Sequence, residues 1–334
     1  MLEERELGSR DVRVTRVGLG LAALGRPAYI TLGRDHDLGA ERSPEMMYAR
    51  TAAVLDAARH AGIRYVDVAR SYGRAEEFLA RWIAEREIAV DAISIGSKWG
   101  YRYTADWTLD AETHEHKELS LDRFRVQVGE TAAWLGSALD LYQIHSATIE
   151  SGCLDDAALL RALVEGRRAG RYRAVGLTLS GPRSADTLAA ALGATAHGER
   201  VFDVVQATFN LLEPSLAEPL ARAHEAGVGV LVKEAFANGR LTPANDRGDD
   251  AARLGRLRKV AADRGLTLDQ LAVAFVLAHR FVDVLVSGAA TPAQLASHVA
   301  SAAHPLDGAT LARLAEEAQP PTAYWQTRAH LPWR

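Results

Sequence analysis

Cysteine is almost missing from this chain of 334 residues, with Cys153 standing alone. No internal disulfide can form, and a reducing, cytoplasmic setting is the expectation. Long apolar runs are missing as well. None approaches the ~20 residues that a membrane helix needs. The opening MLEERELGSRD carries charge where a secretory leader would carry an apolar core. Neither sign of charge dominates: 39 basic side chains face 43 acidic ones, a net of −4. That balance indicates neither a nucleic-acid-binding surface nor an acidic tail. No linker, low-complexity tract or sequence repeat divides the chain, so residues 1–334 read as one domain. A Gly-x-Gly-x-x-Gly turn opening a helix is absent too; GLGLAALG has glycines but no helix start after them.

What is present is a rhythm. RELGSRDVRVTRVGLG reads as a hairpin running into a first strand that ends at Gly18 and Gly20. A loop rich in Gly, Pro and Asp follows, then a helix through PEMMYARTAAVLDAARHAG, closed by Gly62. The strands YVDVA, AISIGSKWG, LDLYQIHS, AVGLTLS, FDVVQATFN, GVGVLVKEAF and VDVLVSGA come next, nearly every one followed by a helical stretch. These runs are short and continuously apolar, the habit of strands buried on both faces of a parallel sheet. Eight such units predict a (β/α)₈ barrel, with an N-terminal β-hairpin and a C-terminal tail near the barrel mouth.

In such a barrel the chemistry is built where strands end. Asp67 lies in strand two and Tyr72 just beyond it; Lys98 ends strand three and His145 strand four. Thr178 and Ser180, Gln206 and Asn210, and Lys233 and Glu234 end the next three. Each alone has a structural alternative. Asp67 could cap a turn, Tyr72 pack on the rim, Lys98 reach solvent and His145 be a satisfied core histidine. Asp67, Tyr72, Lys98 and His145 together at one end of adjacent strands point to chemistry. A phenol titrates near 10, so donating a proton near neutrality takes roughly 4 kcal/mol of preferential stabilisation of the phenolate. Lys98 can supply that cation, Asp67 can keep it charged, and His145 can offer an N–H to a carbonyl oxygen. The set is equipment for carbonyl reduction and requires a hydride source.

These segments resemble the aldo/keto reductase family. GIRYVDVARSYGRAEEFL is similar to its strand-two signature, IGSKWG to its lysine segment, LDLYQIHS to its histidine segment and FDVVQATFN to its strand-six segment. The resemblance implies a (β/α)₈ barrel that binds NADPH, or NAD(H), extended and without a Rossmann fold, and reduces an aldehyde, ketone or sugar-like carbonyl. It assigns Asp67, Tyr72, Lys98 and His145 as the catalytic four and Gln206 as the nicotinamide contact. Gly20, Thr178, Lys233, Arg240, Gly288, Gln294 and His298 fall at the cofactor positions. Several of these depart from the family pattern. Thr178-Leu179 stands for Ser-Asn, and Lys233 for the tyrosine that stacks on the nicotinamide. Gly288 and Gln294 stand where phosphate-binding cations are common, and Ser297 and His298 where a Glu-Asn pair meets the adenine. Backbone N–H groups from Gly288 to Thr291, and Arg240, are the remaining expected phosphate partners.

Aromatic residues cluster in WGYRYTADWTLDAETHEHKE and AYWQTRAHLPWR, as walls of a substrate pocket, as rim packing or as a subunit contact. His114 and His116 are spaced poorly for a metal, and none is expected. The basic stripe of ARLGRLRKVAADR reads as a solvated helix face. The expected partner is a small carbonyl substrate, with no nucleic acid or membrane and the chain acting as monomer or homo-oligomer. Two other readings stay open: the same residues oxidising an alcohol, and a cofactor-sensing barrel with little turnover.

Overall fold

The computed structural model describes residues 2–333. Eight strands, all parallel to their neighbours, close into a barrel. They are β1 Val17–Gly20, β2 Tyr65–Asp67, β3 Ser94–Trp99, β4 Leu139–Ala147, β5 Ala174–Leu179, β6 Val204–Thr208, β7 Gly229–Lys233 and β8 Val284–Ser287. Nearly every residue in them is buried, which explains why they read as apolar runs rather than alternating ones. Helices cover the outside, among them α1 Pro44–His60, α2 Ala75–Glu85, α3 Leu121–Leu135 and α4 Ala157–Arg168. The helix Ala251–Ala262 turns Leu254, Leu257 and Val260 inward and leaves Arg256, Arg258 and Lys259 in solvent, as its basic stripe predicts.

The expected hairpin is present, pairing Glu4–Glu6 with Arg13–Thr15. Its Leu7, Val12 and Val14 pack with Tyr65, Leu141, Val204 and Leu231, so it plugs the end where the strands begin. Chemistry is thereby confined to the other mouth. There the chain differs from the sequence reading in one respect. The segment from Tyr101 to Leu119 is not all loop: Tyr101–Tyr103 and Glu115–Lys117 form an antiparallel ribbon. Its strands are the short words Tyr-Arg-Tyr and Glu-His-Lys, and three residues each are too few for a pattern to announce it. The C-terminal helix Pro321–Ala329 lies across the same mouth, held by Arg328 on Glu234 at 2.9 Å and by Asn210 on the Tyr324 hydroxyl at 3.1 Å. No described helix is long and apolar enough to cross a membrane.

Candidate active site

The ladder brings the candidate residues together. Asp67 pairs in register with Gly20 on one side and Gly96 on the other, and Lys98 sits two residues beyond Gly96 on β3. Lys98 Nζ donates to Asp67 Oδ1 and, at 3.0 Å, to the Val68 carbonyl. Its side chain is wholly buried. The other carboxylate oxygen of Asp67 accepts from the Tyr65 hydroxyl at 3.0 Å and from Gln206 Nε2 at 2.9 Å. Tyr65 can reach it because Gly96 carries no side chain; a Cβ there would lie 2.1 Å from the phenol oxygen. The charged pair is thus ringed by donors, the condition under which a buried ion pair persists.

The Tyr72 ring lies over this pair, its centroid 4.8 Å from Lys98 Nζ. His145 meets that ring edge-on at 5.5 Å between centroids, and Tyr101 meets the imidazole on its other side at 4.9 Å. Strand β4 loses register between Ile144 and Ala147, with Ser146 at φ 55°, and this bulge aims the imidazole at the mouth. Ser146 N–H donates to Thr178 Oγ1 at 2.6 Å. Burial pushes His145 well below its ordinary value, and Lys98, Lys233 and Arg26 push the same way, so the ring is neutral near pH 7. Burial lowers Lys98 as well, against the pull of Asp67.

One expectation is reversed in part. Burial raises the Tyr72 phenol well above its ordinary value, Asp67 adds to the rise, and the cation opposing it is Arg26. A carboxylate that holds the lysine charged also repels the phenolate, and in this site the two effects do not cancel. Arg26 is buried with its Cζ 5.3 Å from the Tyr72 centroid, held by the Ser71 carbonyl at 3.0 Å and by Glu115 at 2.7 Å. The sequence reading passed over it in the loop after β1. The rule applied to the other strands, that polar residues just past a strand end face the mouth, would have found it.

A narrow cavity of about 110 Å³ opens beside Asp67, Tyr72 and Gln206 and continues past Gly20, Lys233 and Gly288. It meets a wider groove of about 690 Å³ that runs along Gly288, Gln294 and His298. Thr31, Arg34, Phe236, Gly239 and Gly288 border both spaces. Lys233 Nζ donates to Thr208 Oγ1 at 2.8 Å, with Glu234 at 3.9 Å. Burial brings it down to about 8. Its neighbour Glu234 is drawn down to about 2 against burial, by Arg328 and then Lys233. The aromatic face here comes from Phe236, which stacks on His298 at 4.3 Å. Gln294 donates to Asp37 at 2.9 Å.

Other expected cofactor contacts are committed elsewhere. Arg240 is buried and grips Asp250 through Nε at 2.9 Å and Nη2 at 2.6 Å, which anchors a loop, and it borders neither space. The N–H of Ala289 goes to Ser287 Oγ and that of Ala290 to Gln294 Oε1, which removes two of the backbone donors read from Gly288 to Thr291. Thr178 is buried and holds the β4 bulge. Of the aromatic cluster, Trp99 is buried against Phe124 at 5.2 Å and walls no pocket. Trp333 stacks on His114 at 4.4 Å and covers Arg26 at 5.0 Å, so these two aromatics serve as rim packing.

A family model described as the aldo/keto reductase family matches residues 17–318. A D-threo-aldose 1-dehydrogenase of a Pseudomonas species is 26% identical over 298 residues, covering 81% of this chain and 88% of that protein. Among solved structures, an aldo-keto reductase of Bacillus halodurans in its holo form superposes with a TM-score of 0.75 at 21% identity, over 96% of this chain and 97% of its own. The glycerol dehydrogenase of Gluconobacter oxydans gives 0.72 at 20% identity, over 94% of each chain.

Proposed function

Because the chain belongs to the aldo/keto reductase family of oxidoreductases, we propose that it reduces an aldehyde, ketone or sugar-like carbonyl with NADPH or NADH, using Tyr72 as the general acid. The observation that carries this reading is the buried Asp67–Lys98 pair beneath the Tyr72 ring, with a neutral His145 at the ring's edge. The two connected spaces suit an elongated ligand with one end at Tyr72, which is the shape a nicotinamide dinucleotide requires. When bound, such a cofactor supplies the hydride.

The chain's own groups do the rest. His145, neutral, donates an N–H to the carbonyl oxygen and fixes it beside the phenol. Tyr72 keeps its proton in the resting site, since burial and Asp67 both oppose ionisation, and releases it as negative charge grows on that oxygen. Arg26 and Lys98, both against the Tyr72 ring, stabilise the phenolate left behind, and Asp67 keeps the ammonium charged and in place. Gln206 and Tyr65 hold Asp67, so one of the two N–H groups of the Gln206 amide is spent on the carboxylate. Its other N–H and its carbonyl oxygen are the parts left for a ligand.

The relatives named as dehydrogenases of an aldose and of glycerol support a polyol or sugar carbonyl as substrate, with the direction set by the cofactor ratio. A small-molecule partner and a cytoplasmic setting complete the proposal, the latter from a lone, buried thiol. The test is turnover of a panel of aldehydes, ketones and aldoses by wild type and Tyr72→Phe. A loss on the order of 10² or more is expected. Equal rates in the two proteins would sink the proposed role of Tyr72.

A further inference from the structure

Among the described residues the other buried guanidinium groups are held by anions or carbonyls, even where, as in Arg240, one nitrogen is left without a partner. Arg167 meets Asp203 at 2.6 Å, Arg240 meets Asp250, and Arg42 meets the Pro27 carbonyl at 2.7 Å. Arg34 differs. It opens the short turn of helix Arg34–Leu38 in the loop after β1 and is only 5% exposed. Among the described residues its Nε and Nη1 are buried and have no hydrogen-bond partner. The carboxylate recorded beside it, Asp37, stands 3.9 Å away and already accepts from Gln294 through its other oxygen. A guanidinium stays protonated at any ordinary pH, and each donor buried without an acceptor costs about 1–3 kcal/mol. Such a side chain persists where an anion is due to arrive.

Its position says which part of a ligand that anion belongs to. Arg34 borders both the narrow cavity at Asp67, Tyr72 and Gln206 and the wider groove toward His298. It therefore stands where the two meet. An extended dinucleotide with its reactive ring at Tyr72 and its adenosine along the groove carries its diphosphate at that junction. We propose that Arg34 is the diphosphate-binding cation of this chain, pairing its unpartnered N–H groups with the non-bridging phosphate oxygens. The inference rests on the nicotinamide cofactor proposed above. It also accounts for how the groove works without Arg240, which holds Asp250 and borders neither space, and without the amides of Ala289 and Ala290. The planar fork of an arginine matches two phosphate oxygens at once, which a lysine does not.

The same geometry makes a statement about cofactor choice. Beyond Arg34 the groove is bordered by the carboxylates of Asp37 and Asp269, by His36 and His298, and, among the described residues, by no other lysine or arginine. Arg34 recognises what NADH and NADPH share, so its loss weakens both alike. Fluorescence titrations of wild type, Arg34→Gln and Arg34→Lys with NADH and with NADPH test this, alongside melting curves of the free proteins. The expected result is a Kd raised about 10- to 100-fold for both cofactors in Arg34→Gln, the range for a lost charged hydrogen bond, with partial recovery in Arg34→Lys. The melting temperature should hold or rise, because an unpaired buried charge has been removed. Unchanged affinity in folded Arg34→Gln overturns the assignment, and so does a loss confined to NADPH, which would move Arg34 to the 2′-phosphate. Wild type that binds neither cofactor overturns the cofactor reading and this inference together.

Discussion

The barrel buries aspartates at both of its ends, and they do opposite work. Where the strands begin, three carboxylates finish the sheet. Asp140 accepts the N–H of Ile95 at 2.9 Å, Asp203 that of Val175 at 2.9 Å and Asp283 that of Val230 at 2.8 Å. Each satisfies a backbone donor on the neighbouring strand that the parallel ladder leaves open. At the mouth, Asp67 accepts no backbone N–H. It holds an ammonium, a phenol and an amide. One set of carboxyl groups completes the hydrogen bonding of the sheet, and the other keeps a charge in a place where the fold alone would not tolerate it. The contrast teaches that a buried acid is informative about chemistry only once its end of the strand is known.

Lys98→Met presses hardest on this contrast. It strands Asp67 among neutral donors, so stability should fall by about 3 kcal/mol and carbonyl turnover by ~10² or more. Adding Asp67→Asn removes the stranded charge and should restore most of the stability with none of the activity. A double variant as unstable as the single one would mean that Asp67 serves the sheet after all. Denaturant melts and steady-state rates on the same samples separate the two outcomes.

At the other end the expected split is reversed. Asp203 accepts from Arg10 at 2.7 Å and Arg167 at 2.6 Å besides Val175, and it is wholly buried. Asp203→Asn leaves Arg167 short of its counter-charge, and a stability loss of about 3 kcal/mol follows, with kcat/KM unchanged in the folded protein. A fall in kcat/KM without a fall in stability would break the division of labour between the two ends.

Sequence patterns made the barrel legible because parallel strands buried on both faces leave continuous apolar runs, and helices between them leave a different period. They made the four catalytic candidates legible because topology puts strand ends at one mouth. They could not separate the aspartates on composition. Val66-Asp67-Val68, Phe202-Asp203-Val204 and Val282-Asp283-Val284 are nearly the same word. Asp67 closes its strand, while the other two stand just before theirs. Arg26 and Arg34 come from the loop after β1, six and fourteen residues beyond Gly20, where no strand pattern marks a side chain as facing the mouth. The partners of Arg240 and of the Ala289 and Ala290 N–H groups were illegible for a related reason. Proximity in sequence to the cofactor segment does not reveal a bidentate partner ten residues on, or a side chain that folds back onto its own turn.

Acid should expose a further asymmetry, smaller than the others. At the mouth, burial lowers His298 to about 4, and its Nδ1 meets Ser287 Oγ at 2.8 Å. The folded state therefore resists protonation that the unfolded chain accepts near 6.5. Between those values the unfolded chain binds more protons, so stability falls as pH falls, by about 2 kcal/mol from this group at pH 5. At the strand-start end, Asp140 and Asp283 are raised by burial, so their carboxylates cost stability when charged and acidification relieves that cost. The two ends thus pull in opposite directions below neutrality. His298→Asn keeps an acceptor for Ser287 and removes the titration, so its stability should decline less than that of wild type between pH 6.5 and 4. Denaturant midpoints measured across that window check the difference, and parallel curves would show that the imidazole is not buried neutral beneath Phe236.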